Sequence, residues 1–216
     1  SVVDKLLSMD IDVIAKEESH RERNLTLLEY SDVSLNTSGS GFSISFDGSD
    51  ADIVIGKDLI IHDILPSRDD RWLPSEIHNW LAGSIAETKP RFWLSVIDAA
   101  NAISHIAKAG LKLDGIHMCG RREWSPIDSK AEFDMLWQRT NQGITGKFTP
   151  ETLFGHEIAG MQAKPITHID AQRPDLEPLH EVMLQLTGDG WRPLIPFRTA
   201  LICLLYTSPS PRDNSG

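Results

Sequence analysis

Arg91–Gly110, RFWLSVIDAANAISHIAKAG, and Leu113–Ser125, LDGIHMCGRREWS, are the stretches whose reading decides the fold. A short apolar segment ends at Val96-Ile97-Asp98. Apolar residues then recur at Val96, Ala100, Ile103 and Ala107, the spacing of one helical face, up to Gly110, where glycine suits a left-handed cap. Leu113 to Met118 reads as a strand, so the unit is helix then strand, the signature of an α/β chain.

Outward from this unit the pattern continues. Pro74 to Ile85 reads as a helix with Ile77, Trp80, Leu81 and Ile85 on one face. Phe133, Leu136 and Trp137 are at helical spacing within the polar stretch from Arg121 to Thr149, and Thr149 to Met161 reads as another short helix. Toward the amino end, Val2 to Met9 has a helical spacing and Ile11 to Ala15 reads as a strand. Lys16 to Arg23 is a charged, solvated stretch. From Ser31 the pattern alternates: Phe42, Ile44 and Phe46 share one side of a strand, with Gly-rich and Asp-rich turns around it. Ile53–Ile55 and Leu59–Ile64 are two more strand candidates, which together predict a small sheet or hairpin region. No internal repeat stands out.

Four segments, in order, resemble the extended short-chain dehydrogenase/reductase family, the NAD(P)-dependent nucleotide-sugar epimerases and dehydratases. Arg91, Val96, Asp98 and the Met118-Cys119-Gly120 step are similar to the family's arginine, hydrophobic pair and valine-x-aspartate before a helix, and to its strand ending in glycine. Ile61–Arg68 is similar to its arginine-x-x-asparagine-x-tyrosine-glycine-proline loop. Gln172-Arg173-Pro174-Asp175 resembles its arginine-proline-glycine-aspartate element without the glycine. Gly188–Pro193, Leu194–Phe197 and Thr199–Leu201 are similar to its closing tryptophan-x-proline segment and last helix.

The resemblance implies an α/β fold, a partial Rossmann-like sheet with a carboxyl-terminal substrate-binding α/β region, and NAD or NADP as cofactor. It divides the chain into a poorly matched amino-terminal region, 1–58, a family-like region, 59–202, and a tail, 203–216. Cys203–Asp213 resembles the translation of a transposase adapter used in sequencing libraries, so the tail is expected to be disordered and Cys203 and Tyr206 to carry no function.

The family's chemistry needs a tyrosine and a lysine four residues apart, the lysine and cofactor easing the phenol toward the phenolate that takes a substrate proton. Tyr30 is followed at that spacing by Ser34, and no Tyr-x-x-x-Lys occurs. The phosphate-cradling G-x-x-G-x-x-G turn is also missing, Gly39-Ser40-Gly41 reading as an ordinary turn. The chain is therefore expected to be a fragment or reduced form of such an enzyme, inactive as written. The alternatives are a non-catalytic sugar-nucleotide-binding relative and an unrelated interaction domain with Trp72, Trp80 and Trp93 in a core or interface.

By resemblance, Arg91 and Arg173 match family positions that contact the nucleotide-sugar diphosphate, and Arg68 is a weaker candidate on a neighbouring loop. Arginine suits the task because its fork pairs with phosphate oxygens without changing protonation. The bland alternative is an arginine paired with Glu87 or Asp175, and Asp98 is expected to cap its helix.

Twenty-one basic against 31 acidic residues give a net charge of −10, which disfavours a nucleic-acid footprint. No apolar run approaches twenty residues and no secretory signal is evident, so no membrane partner and a cytoplasmic location are expected. Cys119 is the one cysteine before the tail, which excludes a disulfide framework. Gly155-His156-Glu157-Ile158-Ala159-Gly160 resembles a zinc dehydrogenase motif, but one histidine and one cysteine cannot close a zinc site, and no metal is expected.

Overall fold

The computed structural model describes residues 2–16, 19–68, 73–82, 89–145 and 173–207. Helices and short strands are mixed along the chain in an α/β arrangement, five short strands running in succession from Leu35 to Leu65, and every pairing between strands of the described residues is parallel. The chain folds as two units, one made of Ser1–His62, Val96–Cys119 and Pro174–Leu194, the other of Asp63–Ser95, Gly120–Arg173 and Ile195–Gly216. This division runs through the 59–202 region that the sequence treats as continuous.

In the first unit, α1 (Val2–Leu7), β1 (Val13–Ile14), α2 (Ser19–Arg23), α3 (Leu25–Tyr30) and β2 (Leu35–Asn36) come first. β1 pairs with β2, and Leu7, Val13 and Leu35 form a small core lined by Val3, Leu6, Leu27 and Leu28. β3 (Ile44–Ser45) and β4 (Ile53–Val54) follow, paired in parallel with Ile44 opposite Ile53. A hairpin would make them antiparallel. Parallel neighbours ordinarily need a crossover of a dozen or more residues, whereas here the chain returns after a nine-residue step. Hydrogen bonds at the turn make the short return workable. Asp47 accepts from Ser45 Oγ, Ser49 N–H and Ser49 Oγ, Gly48 has φ +83°, and Asp52 accepts from the N–H and hydroxyl of Ser43. Phe42 and Ile44 are half-buried, but at the end of this segment Ser45 is buried and Phe46 exposed, the serine hydroxyl being tied into the turn.

β5 (Leu59–Ile61) pairs with β8 (Ile116–Met118), Leu59 opposite Ile116. Between them in sequence runs α5 (Val96–Ala109), which buries Ala99, Ala100, Ala102, Ile103 and Ile106. Its end is a Schellman motif: Gly110 sits at φ +62°, its N–H reaching Ala107 O, and Leu111 N–H reaches Ile106 O. The Asp98 carboxylate accepts from Leu194 N–H at 3.1 Å, a tertiary contact in addition to its place in the first turn. An unforeseen helix, α7 (Glu177–Thr187), packs on α5 and β8 and ends at Gly188, φ +83°. Trp191 follows it, buried, with its indole N–H on Cys119 O at 2.9 Å.

The second unit contains β6 (Ile64–Leu65) paired with β7 (Leu94–Ser95), α4 (Ser75–Leu81), α6 (Pro126–Thr145) and α8 (Phe197–Thr207). Proline at the first position of α6 and the Ser125 hydroxyl, which accepts from Asp128 N–H, explain where this helix begins. Leu65, Ile77, Trp80, Trp93, Phe133, Leu136, Phe197 and Leu201 form the core, Trp93 stacked on Phe197 with centroids 5.0 Å apart. α8 does not stop at the adapter-like sequence. Leu204 and Leu205 fall one turn beyond Ala200 and Leu201 and are buried with them, so Cys203–Thr207 are helical and only 208–216 of the tail lie outside the described residues. Trp72, Ile85, Glu87, the 149–161 segment and His156 also lie outside them. No helix among the described residues is long and apolar enough to cross a membrane.

Candidate functional site

Arg91, Arg68 and Arg173 all belong to the second unit. Arg91 enters β7 through a two-way bridge: its N–H donates to Trp124 O at 3.0 Å and its carbonyl accepts from Trp124 N–H at 2.8 Å. With the backbone held, the side chain meets two carboxylates. Nε donates to Glu76 Oε1 at 2.8 Å, Nη2 to Glu76 Oε2, and Nη1 to Asp63 Oδ1 at 2.7 Å. Glu76, in the first turn of α4, is 4% exposed, and the Arg91 side chain 19%.

Asp63 completes the arrangement from the break between β5 and β6. Its second oxygen accepts from Phe92 N–H at 2.8 Å, so one carboxylate holds both the side chain of Arg91 and the next peptide. Its φ of +51° is in the left-handed region, which aspartate tolerates better than most residues but at a cost. Burial disfavours the Arg91 charge, but hydrogen bonds and attraction from Glu76 and Asp63 outweigh it and push the pKa above the ordinary arginine value. The guanidinium also lies 5.7 Å from the centroid of Trp93. One cation and two anions leave this cluster with a net negative charge, and three of the five guanidinium N–H donors are engaged.

Arg91 is thus paired, as the bland alternative had it, but with Glu76 and Asp63 as partners. Sequence spacing offered no sign of Glu76, 15 positions away, whereas Asp63 stood inside the Ile61–Arg68 segment already singled out. Arg68, after β6, and Arg173, before Pro174, are exposed and make no ion pair or hydrogen bond among the described residues. Among the described residues those two guanidinium groups have no partner, whereas Arg91 has three of its donors engaged by Glu76 and Asp63.

A Cβ on Gly39 would lie 2.5 Å from Ile14 Cδ1, so the turn packs directly against that side chain. Among the described residues no group of three or more His, Cys, Asp or Glu converges as a metal centre. Comparison with family models, with curated proteins and with solved structures gives no match.

Proposed function

We propose that the chain is a non-catalytic part of an NAD(P)-dependent nucleotide-sugar epimerase or dehydratase, and that it binds the diphosphate of a sugar nucleotide. The observation that carries this reading is the run Arg91–β7–α5–β8–Gly120. Within the first unit α5 leads into β8, which pairs in parallel with β5 in a two-stranded sheet, and the resemblance calls for a helix followed by a parallel strand at this point.

In this reading Arg173 and Arg68 pair with the phosphate oxygens, and Arg91 orders the loop behind them through Glu76 and Asp63. A nucleotide cofactor supplies hydride transfer in the whole enzyme, but the sequence carries no G-x-x-G-x-x-G turn to cradle one, and no step runs through it. The chain's own part is to bind and orient.

Isothermal titration with UDP-glucose and dTDP-glucose tests the reading. Saturable binding that Arg173→Ala and Arg68→Ala each weaken roughly tenfold, about the contribution of one charge-assisted bond, supports it. No saturation by any sugar nucleotide at millimolar concentration rejects it. One observation favours the rival reading, a domain that acts through protein contacts: the arginine that resemblance places at the diphosphate already has both its carboxylate partners.

A further inference from the structure

We draw no further inference here: the strongest candidate, the exposed Arg122 guanidinium stacked 4.3 Å from the Trp124 ring centroid on the surface of the second unit, is a lone stacking contact, and nothing in the structure shows what would cover it.

Discussion

Arg91 shows how one side chain can fix a loop. Replacing it with alanine strands a buried Glu76 carboxylate and leaves Asp63 to hold Phe92 N–H alone, so Arg91→Ala should cost about 3 kcal/mol in urea denaturation. Arg91→Lys keeps the charge but cannot span both Glu76 oxygens and Asp63, and should recover only part of that loss. A second test at this scale uses Asp52. The Lys112 ammonium, 2.9 Å away and hydrogen-bonded to it, and then the Ser43 N–H and hydroxyl, hold its pKa at about 2. A carboxyl whose folded pKa lies below its unfolded value stabilises the fold above the ordinary carboxyl range, and that support is lost as pH falls through about 2. A carbon-detected NMR titration should place the Asp52 midpoint there, and Lys112→Ala should move it upward. The sequence announced Arg91 and not its partners, because an arginine can be matched by position whereas the carboxylate that meets it depends on how the chain folds back.

Helices α1, α4, α5 and α6 were legible, whereas α3, α7 and the strand partners were not. α5 has apolar positions at helical spacing and a glycine at its end, both local signals, and α6 has a serine and a proline at its start. α7 gives a weaker signal, since only Leu179 and Met183, four apart, are buried on it. Strand partners depend on residues far off in sequence, and a segment such as Ile44–Ser45 looks the same whether it pairs in parallel or antiparallel. The turn at Asp47–Gly48 signalled a reversal of direction but not the second bend that makes the pair parallel. Gly120 illustrates a residue whose identity is explained only by packing. A Cβ there would lie 2.2 Å from Trp93 O and 3.0 Å from Phe92 O, and the strand cannot back away because Gly120 N–H bonds Phe92 O at 2.9 Å. Gly120→Ala should lower stability by about 1–3 kcal/mol, read as a drop in thermal midpoint.

For the molecule as a whole, origin and packing part company at the carboxyl end. The adapter-like residues supply two leucines to the second unit's core, Leu204 fully buried and Leu205 nearly so. A chain ending at Ile202 should therefore lose about 3–6 kcal/mol, the worth of burying two leucines, with a red shift in tryptophan fluorescence as the core around Trp93 loosens. No change on truncation would mean that this last turn is dispensable. The interleaving of the two units also bears on how the chain is made. β5 leaves the ribosome well before β8, and the first unit lacks its last segment until Leu194 has been synthesised. The second unit needs α8, later still. Neither unit can close before these late segments have been synthesised, and the early apolar strands wait unpaired in the meantime.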